Sequence, residues 1–276
     1  MDIAGRTAVI VTMHGKESVI EAGLAGLGLR FLPPPLIDTD GFGTFSGEIP
    51  RAGSQRDALL AKAGAGLDAV ADADFALASE GAFGPHPAYG FVPGGREQVV
   101  LLDRSSGQHV IGEDLTLDTN FASREARSMA EAQVFAERIG FPDHGLLLAP
   151  PGGEGPFAKD IGDVARLDAA VTALLAEHGS VHLRTDMRAH RNPTRRRSIA
   201  RAVADLALRL DQRCPDCSFP GWRGIFRAGR RCGWCGTETL DSADRLYRCA
   251  RCGFEQVEAI DPGRMADPVH CPSCNP

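Results

Sequence analysis

Residues 235–253, CGTETLDSADRLYRCARCG, decide how the end of this chain folds, because they hold the middle of a regular cysteine pattern. The chain has 276 residues and eight cysteines, all of them after residue 213. They form four Cys-x-x-Cys pairs, and each pair lets one tight turn direct two sulfurs at one metal ion. Two such turns complete a tetrahedron, so the pattern predicts two structural zinc ions with four thiolates each. The predicted ligands are Cys214, Cys217, Cys232, Cys235, Cys249, Cys252, Cys271 and Cys274.

Other uses of the same cysteines stay open. A disulfide framework needs an oxidising compartment, which nothing else in the sequence indicates, and iron accepts the same four-sulfur geometry. The pairing of the turns is also open. The pattern within 235–253 is typical of a metal turn, strand, turn, strand and metal turn, which favours joining the second pair to the third and the first to the fourth. Sequential pairing, first with second and third with fourth, is the alternative.

Charge argues against a general affinity for nucleic acid. The chain has a formal net charge of -6, and residues 211–276 contain nine Arg and nine acidic residues, which balance before any thiolate is counted. A unit with balanced charge should attract a phosphate backbone only weakly. Aromatic side chains here could stack on bases, but in so small a domain aromatics are more often core residues. They are Trp222, Phe226, Trp234, Tyr247 and Phe254.

Before residue 211, apolar strand-like runs alternate with helical patterns, which predicts an α/β sheet covered by helices. We therefore expect an α/β nucleotide-binding domain over 1–210 and a double zinc-ribbon domain over 211–276. No apolar run approaches 18 residues, so no membrane span is predicted and a cytoplasmic location is expected. The predicted strands are 7–12, 29–32, 74–79, 98–103, 109–111, 145–149 and 180–185. The predicted helices are 18–27, one capped by Ser54, 123–139, 163–178 and 193–210.

Two strand ends carry polar residues suited to a ligand. Gly15 and Lys16 lie where the first strand meets the first helix, a natural anion cradle of backbone N–H groups and one ammonium, although many such turns hold no ligand. Glu80 follows an apolar strand among glycines, which suits a metal ligand or a general base. A solvated Glu in a turn is the plain alternative for Glu80.

A third candidate is the basic segment 184–201, which has seven Arg and one acid. Asn192 and Pro193 are predicted to cap the last helix, where first-turn arginines oppose the helix dipole unless an anion is bound. We expect His190 and Arg191 to contact a ligand. The arginines at 195–197 form either part of that site or a solvated basic face. Lys159 is a further loop candidate.

Together, Thr12 to Lys16, the segment Ala58 to Lys62-Ala63, and Glu80-Gly81 resemble the inosine triphosphate pyrophosphatase-like fold, a mixed sheet covered by helices. The resemblance implies that Thr12 and His14 belong to the phosphate turn and that Lys16 and Glu80 are catalytic. It also implies phosphate contacts from Lys62 and Lys159, and contacts from His190 and Arg191 to the base or to another phosphate. Mg²⁺ or Mn²⁺ would be held by Glu80 with Glu48. His14 departs from the family's Asn, and Glu80 stands where the inosine triphosphatases have two aspartates.

The phrases SEGAFGPHP and TDMRAHRNPTR and the terminal CPSCNP also look like a bacterial family of unknown function with a C-terminal double zinc ribbon. We therefore expect a metal-dependent nucleotide pyrophosphatase-like hydrolase that carries structural zinc and acts on a phosphorylated small molecule, a nucleotide. The alternative is a non-enzymatic zinc-ribbon protein that binds RNA, a nucleotide or a protein partner.

Overall fold

The apolar run TAVIV forms strand β1, Thr7–Val11, near the centre of a five-stranded sheet. This computed structural model describes residues 1–13, 15–42, 53–153 and 158–276. The sheet has the order β2-β1-β3-β4-β5; β1 is parallel to both neighbours, and the two remaining pairs are antiparallel. The predicted α/β sheet with flanking helices is confirmed, and the sheet is mixed. The other strands are β2, Arg30–Leu32; β3, Phe75–Pro85; β4, Pro93–Asp103; and β5, His109–Thr116.

Helices cover both faces of this sheet. Helix α2, Gln55–Ala69, packs its Gly66 directly against Val11, since a Cβ there would lie 2.1 Å from a Val11 methyl. The predicted cap is present, because Ser54 and Asp57 form a reciprocal capping box. On the opposite face, the last helix of the α/β region approaches β5 so closely that only glycine fits at Gly112.

A second, antiparallel sheet follows in the chain, with the order β6-β9-β7-β8. Its strands are β6, Ser123–Ala126; β7, Leu146–Ala149; β8, Ala158–Ile161; and β9, Val181–Thr185. The prediction of one helix over 123–139 was wrong at its start. Residues 123–126 pair with β9, and helix α3, Met129–Ile139, begins only after its N-cap Ser128. Helix α4, Val164–His178, shares an apolar core with α3 and this sheet.

The chain divides into two compact units, Asp2–Ala207 and Leu208–Pro276 with Met1. Helix α1, Glu17–Leu24, lies in the first, and helix α5, Pro193–Asp211, runs from the first into the second. The second unit contains a three-stranded antiparallel sheet made of β10, Gly224–Ala228; β11, Ser242–Arg248; and β12, Glu255–Ala259. Among the described residues, no helix has the length and apolar character needed to cross a bilayer.

Candidate functional site

The eight cysteines form two groups of four in the C-terminal unit, and none is in a disulfide. Sulfur–sulfur distances of 3.5–3.9 Å separate partners from different turns. A tetrahedral site with zinc–sulfur bonds of about 2.3 Å has sulfur–sulfur edges of about 3.8 Å. Both groups are therefore compatible with zinc. The first is Cys214, Cys217, Cys249 and Cys252; the second is Cys232, Cys235, Cys271 and Cys274.

This pairing joins the first turn to the third and the second to the fourth, so both the nested and the sequential pairings considered above were wrong. The reason lies in β11. The stretch between Cys235 and Cys249 was predicted as strand, turn and strand, but it contains one continuous strand, Ser242–Arg248. It holds the second and third turns at opposite ends, roughly 20 Å apart at about 3.3 Å per residue. The antiparallel β10 and β12 bring the first and fourth turns back to those ends.

The local backbone prepares each turn for a metal. In all four turns the N–H after the second cysteine donates to the carbonyl of the first, from Ser218, Gly236, Gly253 and Asn275. The first three of these donors have positive φ, a conformation that glycine adopts without strain. The thiols also need a cation. Hydrogen bonds from Thr237 lower the pKa of Cys235 to about 6. In contrast, a hydrogen bond with Cys235, together with burial, raises the pKa of Cys274 to about 12. Four adjacent thiolates are stable only around a metal.

Lys16 is the central feature of the candidate site in the α/β unit. It is buried at the start of α1, and its Nζ donates to Ser79 Oγ at 3.1 Å. Burial and, to a smaller extent, the positive charge of Arg195 lower its pKa to about 7 against the opposing effect of Glu97. Gly15 precedes it with φ +68, and no side chain caps the helix start at Lys16. The predicted anion cradle thus has an ammonium whose charge is costly to keep.

Glu80 is buried close to Lys16, but its position in strand β3 differs from the prediction. The sequence placed it after a strand, whereas β3 continues to Pro85. Pairing of β3 with β1 nevertheless ends at Ala78, so Glu80 lies just past the end of β1, where the parallel part of the sheet stops. Its Oε2 accepts from the Nζ of Lys62 at 2.5 Å, and both side chains are almost fully buried. Lys62 and Glu80 are therefore an ion pair on the α2 face.

A second buried ion pair, Arg195 with Glu97, was not predicted. Arg195 Nε lies 2.5 Å from Glu97 Oε1, and neither side chain is exposed, so Arg195 does not belong to a solvated face. Glu97 faces Gly81 across the β3–β4 pair, and a Cβ on Gly81 would lie 2.4 Å from the Glu97 carboxylate. A glycine inside a strand signals such a close approach, so Gly81 was the available clue. Arg196 and Arg197 are exposed, as a basic face requires.

The donor set around Glu80 does not fit a resident Mg²⁺ or Mn²⁺. Apart from the cysteine groups, the described ranges contain no cluster of three or more His, Cys, Asp or Glu close enough to share an ion. Magnesium is usually held by several oxygen ligands, whereas the Glu80 carboxylate is paired with Lys62. Glu48, the second predicted ligand, and His14 lie outside the described residues.

The remaining predicted residues occupy several places. Thr12 follows β1 and donates to the carbonyl of Met13. Lys159 is exposed on β8 of the second sheet. His190 and Arg191 form a short turn before α5, and desolvation together with the charge of Arg188 lowers the pKa of His190.

Arg191 is held in place by acidic and glycine neighbours. Its guanidinium lies 3.5 Å from Asp160, and side chains larger than hydrogen would crowd it at Gly145 and Gly162. Asn192 caps α5 as predicted, because its Oδ1 accepts from the Arg195 N–H. The structure thus places Arg191 in an ion-pair cluster of the second sheet.

A cleft of about 250 Å³ lies along the β3–β4 hairpin beyond Glu80. Gln55 lines it and donates to the backbone carbonyls of Glu80 and Arg96, which ties the start of α2 to both strands. Phe83 also lines it, and the Arg195 guanidinium lies 5.4 Å from its ring centre. Phe83 therefore connects the cleft to the buried pair of Arg195 and Glu97. Glycine and proline leave it open: Gly84, Pro85, Pro87, Gly94 and Gly95 line it too.

The fold and these sites define a mixed α/β protein with a C-terminal unit that carries two groups of four cysteines compatible with zinc. A family model described as a domain of unknown function (DUF6671) matches residues 63–276. The chain belongs to this family. No curated protein and no solved structure matches it. The comparisons therefore give no support to the resemblance with the inosine triphosphate pyrophosphatase-like fold, which stays a prediction.

Proposed function

We propose that the α/β unit binds a nucleotide through its phosphates, and that two structural zinc ions hold the C-terminal unit together. The observation that carries the first proposal is the buried amine of Lys16, whose pKa is about 7. Like charges buried close together destabilise a fold unless a ligand offsets them. Three cations, Lys16, Lys62 and Arg195, are buried here with two carboxylates, Glu80 and Glu97. With Lys16 protonated the set has one excess positive charge, which favours an anion.

The cleft favours a nucleotide over inorganic phosphate. Phe83 lies three residues beyond Glu80 on β3, about 10 Å along the strand. A phosphate chain near Lys16 and Lys62 would leave a base and sugar within reach of the cleft. Planar rings pack well on a Phe side chain, and the guanidinium of Arg195 lies over that ring. The uncapped N–H groups at the start of α1 add donors for phosphate oxygens.

Hydrolysis of a nucleoside triphosphate is the reaction that these residues would support. Phosphate oxygens would draw the Lys62 ammonium away from Glu80, which frees that carboxylate to accept a proton. A water molecule positioned by Glu80 would attack the α-phosphorus, its proton would pass to the carboxylate, and pyrophosphate would leave with its negative charge neutralised by Lys16 and Lys62. The products are a nucleoside monophosphate and pyrophosphate. Arg191 and His190 stay predicted contacts to the base or to another phosphate.

Calorimetric titration with a non-hydrolysable nucleoside triphosphate tests the binding. Lys16→Met and Lys62→Met should each weaken it at least about tenfold, the worth of a lost charge-assisted hydrogen bond. Arg124→Met is the control, since Arg124 is an exposed cation on β6 of the second sheet, and it should change affinity less than about twofold. Equal losses in all three variants, or no binding at any nucleotide concentration, would refute the site.

Pyrophosphate release from standard and deaminated purine nucleotides tests the reaction. Glu80→Gln should abolish release while the binding of the analogue persists, because the amide cannot accept the proton. The same assays with and without Mg²⁺ or Mn²⁺ test the predicted metal dependence. Binding without any release in the wild-type chain would leave a nucleotide-binding protein and remove the hydrolase proposal.

A further inference from the structure

The C-terminal unit contains a cleft of its own, separate from the cysteine groups. Its volume is about 260 Å³, near the lower limit of small-ligand sites. Two arginines and three aromatic residues dominate it, and no acidic residue lines it. The lining residues are Gln212, Trp222, Arg223, Gly224, Phe226, Arg245 and Tyr247.

The register of the three-stranded sheet explains why arginines and aromatics meet in this cleft. Phe226 lies opposite Arg245, and Gly224 lies opposite Tyr247, so their side chains share one face. Gly224 must lack a side chain, because a Cβ there would lie 2.7 Å from the Tyr247 ring. The glycine lets that ring lie across the strand and form one side of the cleft.

Two aromatic residues of the cleft are fixed and one is available. Trp222 stacks between Tyr247 and Phe254, with ring centres 5.5 and 5.6 Å away, as expected for the core of a small unit. Phe226, in contrast, is 58% exposed, and the Arg245 guanidinium lies 4.6 Å from its ring centre. A Phe–Arg pair of this kind presents a flat cationic surface on which a base can stack.

Arg245 also differs from the other arginines of the sheet. Its Nε is buried and has no hydrogen-bond partner within the described residues. Arg227 pairs with Asp244 and Arg248 pairs with Glu255 on the opposite face. Glu258 lies directly opposite Arg245 on β12, and its carboxylate accepts a hydrogen bond from the Tyr247 hydroxyl at 2.9 Å. The lining of the cleft itself contains two arginines and no acid, so it is positively charged, although the unit as a whole is not basic.

We infer that this cleft binds one nucleotide of a single-stranded nucleic acid, with the base stacked on Phe226 and Arg245 and a phosphate held by the Arg223–Arg245 edge. The small volume and the balanced charge of the unit suit one nucleotide with one or two phosphate contacts, not a long stretch of backbone. This inference is independent of the nucleotide site proposed in the α/β unit.

Fluorescence anisotropy of a short labelled single-stranded RNA with the full chain tests the inference. All variants are made in a Lys16→Met background, so that the α/β site does not contribute. Arg245→Met and Phe226→Ala should each weaken binding about tenfold or more, because each removes a charged contact or a stacking surface. Arg227→Met and Ile225→Ala, on the opposite face, should change it less than about twofold. Salt should weaken binding with a shallow slope, about one to two phosphates.

Zinc content confirms that each variant is folded. Arg245→Lys serves as a second variant at the cleft, since lysine keeps the positive charge but lacks the planar group that stacks on a base. Equal losses in the cleft variants and the opposite-face controls would overturn the inference. So would the absence of RNA binding, tighter binding of an acidic peptide, or equal affinity for a free mononucleotide.

Discussion

At the scale of single residues, Lys16 carries the most unusual chemistry in the described chain. A lysine normally keeps its charge well above neutral pH, but burial lowers the pKa of Lys16 from 10.5 to about 7. The amine is therefore charged only part of the time near neutrality. An anion beside it would restore the charge, so ligand binding and proton uptake should be linked.

Lys16 should also make stability depend on pH. Below pH 7 the amine is charged in both folded and unfolded chains, so the folded state has the full desolvation penalty. Between pH 7 and 10.5 the unfolded chain binds more protons, and stability rises with pH by at most about 1.4 kcal/mol per unit. Urea unfolding should show this rise in wild type and lose it in Lys16→Met. Lys159→Met is the control that keeps it; an unchanged pH profile in Lys16→Met would contradict the assignment.

Gly81 should be intolerant of any side chain. Gly81→Ala would force a methyl group into the Glu97–Arg195 pair, and we expect a loss of about 1–3 kcal/mol in the free energy of unfolding. Gly84→Ala on the same strand is the matched control, since nothing lies within 4 Å of its Cβ position. Chemical denaturation measures both. Equal stability of the two variants would show that the buried pair adapts freely.

Sequence alone identified the residues that can be recognised from their neighbours in the chain. Lys16 precedes a helix, the cysteines repeat at fixed spacing, and Ser54 precedes an apolar helix. It did not identify Glu97 as the partner of Arg195, because those residues are 98 positions apart and meet only through the order of the strands. Long-range pairing of charges has no local signature.

At the scale of elements, helix α2 connects stability to the candidate site, because it carries Lys62 to Glu80. Its start depends on the capping box of Ser54. Ser54→Ala should lower the free energy of unfolding by about 1 kcal/mol. Ser18→Ala, at an exposed position in the first turn of α1, is the control and should cost nothing or stabilise slightly. Thermal unfolding distinguishes the two, and a Ser54 variant as stable as wild type would mean that packing alone holds α2.

Strand β11 connects the two cysteine groups, since one lies at each of its ends. Loss of one metal should therefore loosen the sheet that positions the other. We expect elemental analysis to give close to two zinc per chain for wild type and well below one for Cys252→Ser. Ser273→Ala, a non-ligand inside the fourth turn, should keep both. One remaining zinc in Cys252→Ser would show that the sites are independent.

At the scale of the whole molecule, each compact unit should respond to chelation differently. The α/β unit buries its own apolar cores around two sheets, whereas the C-terminal unit has a small core built around Cys214, Phe219 and Cys249. Chelation should raise amide hydrogen exchange mainly in residues 208–276. Mass spectrometry of peptides measures this, and a loss of protection across the whole chain would show one cooperative unit.

The alternation of strands and helices was enough to predict the α/β class. Strand order was not predictable in the same way. The extension of β3 beyond β1 and the separate sheet of β6 to β9 depend on pairings between distant segments. The same reason explains the metal turns. Their ligands were evident from spacing, but their partners followed from a three-stranded meander that spacing does not reveal.

The interleaved cysteine groups make the C-terminal unit indivisible. If neighbouring turns had shared an ion, a break between Cys235 and Cys249 would leave two fragments, each with a complete site. Here every such break takes two ligands from each site, so neither fragment keeps four. A nick, a split-reporter junction or an inserted domain within β11 should therefore abolish both sites at once. The same interventions before Cys214 leave all eight ligands on one continuous segment.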